Sequence, residues 1–267
     1  MKLAVYLPAL NEADTLGAVL DGIPSAIPRI TDITKIVIDD GSTDRTAAVA
    51  RLHGAIVVSH SRNLGTGRAF MSGVHAGLAS AADIIVGMDA DGQFRPGDLA
   101  ALIAPIINGE ADVVLCTRFG PGSQLAGKMP RAKRLGNWLL CRIISITVQQ
   151  RFSDVSCGFR AFSRGAALLV DVRSDFEYAH ESLLTWHRFG QRVIEIELPV
   201  LAERPFGKSR IMSSVGSYAL RSAPVLLTAI RDYLIARPKF QIEEAVHDSR
   251  RSRTTVDEKR EIVGDRR

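Results

Sequence analysis

Asp89, Asp91 and Gln93 alternate within the stretch MDADGQF, directly after the apolar residues Ile84, Ile85 and Val86. Two like charges so close repel, and a carboxylate beside a core is costly to desolvate. A hard divalent cation, Mg²⁺ or Mn²⁺, removes the repulsion. It prefers oxygen ligands and shares them with phosphate oxygens. Read as an extended segment, the stretch offers three such ligands from alternate positions, with Ala90 between the first two. A pair of solvated loop carboxylates is the other reading of the pair taken alone. A calcium loop of the EF-hand type fails, because its sixth position needs glycine and Phe94 stands there.

The elements that would carry this stretch are short apolar runs alternating with helical patterns. Residues 3–7, 34–38, 55–59, 83–88 and 112–116 read as buried strands. Leu16, Val19, Leu20 and Ile23, then Phe70, Val74 and Leu78, have helical spacing. This order predicts an α/β fold with a mostly parallel central sheet and helices on both faces. Ligands of such sheets bind at the carboxyl ends of the strands. PALNE, DDGSTD, RNLGTG and DADGQ would then share one rim. In DDGSTD, Asp39 and Asp40 double a carboxylate at the rim, where it can accept from a ribose or a base N–H. Ser42 or Thr43 is expected to cap the next helix, with Asp44 in its first turn. Gly65 and Gly67 would let the backbone approach a ligand, although neither a P-loop lysine nor a full GxGxxG is present.

After residue 117 the character changes. Arg118, Lys128, Arg131, Lys133, Arg134, Arg142 and Arg151 occur in a stretch without acidic residues, and FGPGSQLAGKMP reads as a mobile loop. Helices are expected near 135–150, 176–189 and 214–236, with a strand near 192–198. The last 30 or so residues read as disordered. His53, His60 and His75 lack metal-ligand spacing and read as structural. Trp138 and Trp186 read as core or interfacial anchors.

LPALNEADTL, VIDDGSTDRT, RNLGTGRAFMSG, MDADGQF, DVSCGFRAF and RPFGKSRI stand in the order and approximate spacing of family 2 glycosyltransferases. Over roughly residues 3–237 the chain most resembles the polyprenyl-phosphate hexose synthases, the dolichyl-phosphate mannose synthases among them. The resemblance implies a GT-A (Rossmann-like) fold, a nucleotide-sugar donor, Mg²⁺ or Mn²⁺ and inversion at the anomeric carbon. It implies that Pro8, Leu10, Glu12 and Asp39 hold the nucleoside. Asp89, Ala90, Asp91 and Gln93 would meet the metal and diphosphate, and Arg118, Arg131 and Arg204 the donor or acceptor phosphate. Asp91 and these arginines would carry the chemistry. Asp154 would meet donor-sugar hydroxyls or Arg160, or serve only its turn, and Cys157 stands where relatives commonly have a small residue.

The expected domain runs over 1–237, with a nucleotide-sugar-binding half (1–117), an acceptor half with C-terminal amphipathic helices (118–237) and a charged tail (238–267). A lipid phosphate is mostly ionised at neutral pH, its second pKa being about 6, so it needs arginines rather than a general base. A sugar hydroxyl or small soluble acceptor would need a base, and Glu181 is the candidate, its other reading being a helix-surface carboxylate. A non-catalytic nucleotide-sugar-binding subunit is the reading from another class. GDP-mannose and UDP-glucose are the expected donors, and a polyprenyl (dolichyl or undecaprenyl) phosphate is the expected acceptor. A net charge of +5 suits anionic partners. No nucleic acid is expected. The three cysteines lack CxxC spacing, which favours a reducing cytoplasm. No run of roughly 18 uncharged apolar residues predicts a membrane span, and the start has no signal-peptide pattern. The arginine-bearing amphipathic helices therefore predict peripheral association with the cytoplasmic face of a membrane, with or without an anchoring partner protein.

Overall fold

The computed structural model describes residues 1–119, 129, 131–200 and 222–235. Seven strands form one sheet: β1 (Lys2–Ala9), β2 (Asp32–Asp39), β3 (Ile56–Ser59), β4 (Ile84–Gly87), β5 (Val113–Thr117), β6 (Arg160–Ser163) and β7 (Val193–Glu197). Their order is β3-β2-β1-β4-β6-β5-β7. Every neighbouring pair is parallel except the two that β6 makes, with β4 and with β5. The expected strands are all present. The helices are α1 (Ala13–Gly22), α2 (Thr46–Leu52), α3 (Thr66–Ala79), α4 (Leu99–Ile107), α5 (Arg131–Val148), α6 (Arg164–Leu169) and α7 (Tyr178–Arg188). Residues 222–235 form a further helix, α8.

Alternation along β1 divides the core in two. Leu3, Val5 and Leu7 face Leu16, Val19 and Leu20 of α1 and Leu102 and Ile103 of α4. Ala4 and Tyr6 face Phe70 and Val74 of α3, with Ile144 of α5 and Trp186 of α7 on the same side. The helices therefore cover both faces, as the sequence predicts.

β6 is the element that the sequence reading lacks. Arg160–Ser163 is short, and its arginine disguises a strand buried at its first three residues. Because β6 lies between β4 and β5, the expected 1–117 and 118–237 halves share one sheet. The FGPGSQLAGKMP loop apart from Phe119 and Met129, RPFGKSR with Arg204, the start of the 214–236 helix and the 238–267 tail fall outside the described residues.

Candidate active site at the carboxyl edge of the sheet

Parallel register brings the strand ends level. Ala9 pairs with Asp39, Asp39 with Ser59, and Tyr6 with Gly87. PALNE, DDGSTD, RNLGTG and DADGQ consequently leave the sheet along one edge. The first two are laced together. Asn11, with φ 53°, accepts the Thr43 amide on its Oδ1 at 2.7 Å, and its own amide donates to Ser42 Oγ at 2.9 Å. The Glu12 amide donates to Thr46 Oγ1 at 2.9 Å, and Glu12 Oε2 accepts the Thr15 hydroxyl at 3.2 Å. Pro8 and Leu10 are half-buried beside them. The expected Ser42 or Thr43 cap is not formed. Helix α2 starts at Thr46, and Asp44 accepts its amide from outside the helix at 2.9 Å. Ser42 and Thr43 are instead taken up by Asn11.

The doubled aspartate divides its labour. Asp39 accepts the Ser42 amide at 2.9 Å and the Ser59 hydroxyl at 3.4 Å. Asp40 accepts the Leu64 and Gly65 amides at 2.8 and 3.0 Å and lies 2.7 Å from His60 Nδ1. Asp40 thus shapes the RNLGTG loop, and His60 is structural, as expected. The glycines of that loop correct an expectation. A Cβ on Gly67 would lie 1.9 Å from Ser174 O, and one on Gly65 2.3 Å from Asp175 O. The Gly67 amide donates to Asp175 O at 2.8 Å. The glycines admit another stretch of this chain, not a ligand.

Asp89, Asp91 and Gln93 do not lie along an extended segment either. Residues 90–92 turn, with Gly92 at φ 75°, and Asp91 Oδ1 accepts the Gln93 amide at 3.0 Å. The turn is held by Phe94, whose ring lies 5.0 Å from that of Phe159 and whose backbone bridges to Val200. Asp91 and Ala90 are buried, while Asp89 and Gln93 are half-buried. Gly158 closes on Asp89 from the other half of the chain: a Cβ there would stand 2.7 and 2.8 Å from its carboxylate oxygens. Beneath lie Tyr6 and Tyr178. Burial pushes both phenols above their usual pKa, so they stay neutral near Asp89. Arg160 sits 5.1 Å over the Tyr178 ring and donates to the carbonyls of Cys157 and Ala179.

Among the described residues, no group of three or more His, Cys, Asp or Glu side chains is gathered to hold a metal by itself. Asp89 and Asp91 would supply two hard oxygen ligands, a set that fits a divalent cation whose remaining ligands are phosphate oxygens and water. The close seat against Gly158 fixes one of the two.

The DVSCGFR segment departs from expectation at Asp154. Its carboxylate engages Arg118, not Arg160: Nε to Oδ2 at 2.6 Å and Nη2 to Oδ1 at 2.9 Å. Burial opposes the Arg118 charge, but the Asp154 carboxylate outweighs it and raises the guanidinium pKa. Arg118 keeps 24% of its side chain exposed, at the end of β5. Arg131 opens α5, exposed. Glu195 on β7 grips the same loop, accepting the Ser153 and Asp154 amides at 2.8 and 2.7 Å. Sequence reasoning missed Gly158, Ser156, His180 and Glu177, because nothing local marks residues that meet across the sheet. Glu181 accepts the Arg173 and Ser174 amides, one on each carboxylate oxygen, at 2.9 and 3.2 Å.

Residues 4–168 match the family described as glycosyl transferase family 2. An uncharacterised glycosyltransferase of Mycobacterium tuberculosis is 34% identical over 218 residues, 80% of this chain and 91% of that one. An undecaprenyl-phosphate mannosyltransferase of Micrococcus luteus is 26% identical over 224 residues, 80% of this chain and 89% of that one. A solved glucosyl-3-phosphoglycerate synthase of M. tuberculosis, in complex with Mn²⁺ and UDP-glucose, superposes with a TM-score of 0.66 at 25% identity. It covers 86% of this chain and 79% of its own. With its rim of carboxylates on a mostly parallel sheet, the chain belongs to glycosyl transferase family 2 and is a glycosyltransferase.

Proposed function

We propose that the chain transfers a hexose, mannose or glucose, from a nucleotide sugar to a polyprenyl phosphate. The observation that carries this reading is the state of Glu181. The carboxylate that a hydroxyl acceptor would call on as base is tied on each oxygen to a backbone amide, which holds it to residues 173–174. A phosphate monoester needs no base, since its oxygen is already anionic. That oxygen attacks the anomeric carbon as the bond to the diphosphate breaks, with inversion. Asp89 and Asp91 would hold Mg²⁺ or Mn²⁺, with Gln93 beside them toward the diphosphate, and the metal when bound neutralises charge on the departing diphosphate. Pro8, Leu10, Glu12 and Asp39 line the nucleoside end. Arg118, oriented by Asp154, meets phosphate oxygens, and Arg131 and Arg204 are assigned to the acceptor. The lipid acceptor has a relative's name behind it, that of the undecaprenyl-phosphate mannosyltransferase.

Helix α5 supports the same reading. Cys141, Ile144 and Val148 are buried in the core, while Leu135, Trp138, Leu139 and Ile146 stand exposed on the opposite side. Arg131 and Arg142 border that outer side, with Arg142 6.0 Å over the Trp138 ring. An apolar row set among arginines suits an anionic membrane surface. No described helix is long and apolar enough to cross a membrane.

A second reading, a soluble phosphorylated acceptor, is favoured by the name of the solved glucosyl-3-phosphoglycerate synthase. The test supplies GDP-mannose or UDP-glucose with Mg²⁺ or Mn²⁺ to two acceptors, a short polyprenyl phosphate and 3-phosphoglycerate. Sugar in the organic phase is the expected result, and product from phosphoglycerate alone overturns the lipid reading. In Glu181→Gln, lipid transfer should stay within about tenfold of the native rate, whereas loss of a true general base costs about 10²–10⁴-fold.

A further inference from the structure

The buried polar groups that neither the rim nor the core explains form one line. His180 on α7 is 1% exposed. Its Nε2 lies 3.0 Å from Ser156 Oγ and its Nδ1 2.6 Å from Glu177 Oε1. Glu177 is equally buried, and its Oε2 accepts the hydroxyl of Ser222, the first described residue of α8, at 2.8 Å. The His180–Glu177 contact is short yet poorly angled, so that Nδ1 lacks a well-formed hydrogen bond. At 2.6 Å the two groups are nevertheless in direct polar contact.

Burying an imidazole and a carboxylate is costly, and apolar residues would fill the same space more cheaply. Among the described residues, the line comes nearest the surface at Ser156, which is half-buried. Ser156 stands between the two residues that define this corner of the rim. Two positions earlier, Asp154 accepts the Ser156 amide at 3.2 Å and holds Arg118. Two positions later, Gly158 rests on Asp89.

We propose that Ser156 contacts the hexose of the donor, and that His180 and Glu177 are positioning residues that aim its hydroxyl there. The inference rests on reading the rim as a nucleotide-sugar site. A serine hydroxyl has one proton and two lone pairs. His180 engages one of these whichever ring nitrogen carries the proton, and a sugar hydroxyl, both donor and acceptor, meets what remains.

Calorimetric titration with UDP-glucose, GDP-mannose, UDP and GDP, in the presence of Mg²⁺, tests the assignment on the full chain. Ser156→Ala is expected to weaken the sugar nucleotide about three- to tenfold while the matching nucleoside diphosphate stays within about twofold. Ser156→Thr should restore the sugar nucleotide. His180→Leu should show the same selective loss, and combining it with Ser156→Ala should add nothing, as for two residues acting through one contact. Equal weakening of both ligands in Ser156→Ala, or no change, overturns the proposal. A native protein that binds none of the four ligands overturns the nucleotide-sugar reading itself. Should His180→Leu not fold, the two Ser156 variants still decide.

Discussion

At Gly158 a single hydrogen decides whether Asp89 keeps its place. A methyl group there would stand 2.7 and 2.8 Å from the two carboxylate oxygens, so the Asp89 side chain must turn aside to admit it. Gly158→Ala should therefore fold but lose at least about tenfold in metal-dependent transfer, the loss expected when a metal ligand's support is disturbed. Turnover against Mg²⁺ concentration, beside a thermal melt, checks this. Asp40 has a different character. Replaced by alanine, it leaves the half-buried Leu64 amide and His60 Nδ1 without their acceptor, while the Gly65 amide keeps Asn63 Oδ1 at 2.9 Å, and the cost is about 2 kcal/mol in urea unfolding.

Among the elements, those with apolar runs were legible from the sequence. Ile84 to Val86 can be little other than a buried strand, and Leu16, Val19 and Leu20 little other than an amphipathic helix. β6 was not legible, because its four residues begin with an arginine whose partners, carbonyls of α7 and the preceding turn, the Ser182 hydroxyl and the Tyr178 ring, are distant or unmarked in sequence. The site divides in the same way. Asp39, Asp89 and Asp91 announce themselves by type and strand-end position. Gly65 and Gly67 were misread because a glycine says that something comes close, not what. Helix α5 belongs to this scale too. Replacing Trp138 and Leu139 with aspartate removes two exposed apolar groups, so stability should move by no more than about 1 kcal/mol. Partition onto anionic liposomes at low salt should fall at least about tenfold, as loss of two inserted side chains requires. Unchanged flotation would sink the membrane reading of this helix.

Over the whole molecule, pH separates structural charge from functional charge. Hydrogen bonds from Arg192, against some burial, hold the Asp112 carboxyl below its usual pKa. Its contribution is therefore complete above the unfolded value of about 3.9 and fades as pH falls through the lower folded one. Arg192 is half exposed, so solvent screens the pair and its contribution is small. Urea unfolding of native and Asp112→Asn protein should differ by a constant amount above about pH 5 and converge in stronger acid. Glu195, whose pKa burial raises, acts with the opposite sign, so the difference between the two proteins is the quantity to read. The antiparallel β6 has a consequence in time. During synthesis β1 to β4 can assemble as each emerges, but the free edge of β4 waits for Arg160 to Ser163, and β5 has no neighbour until they arrive. Throughout that interval the nascent chain offers an unpaired apolar edge to any other strand it meets. The ribosome must deliver the far side of the sheet before Asp89 has a seat.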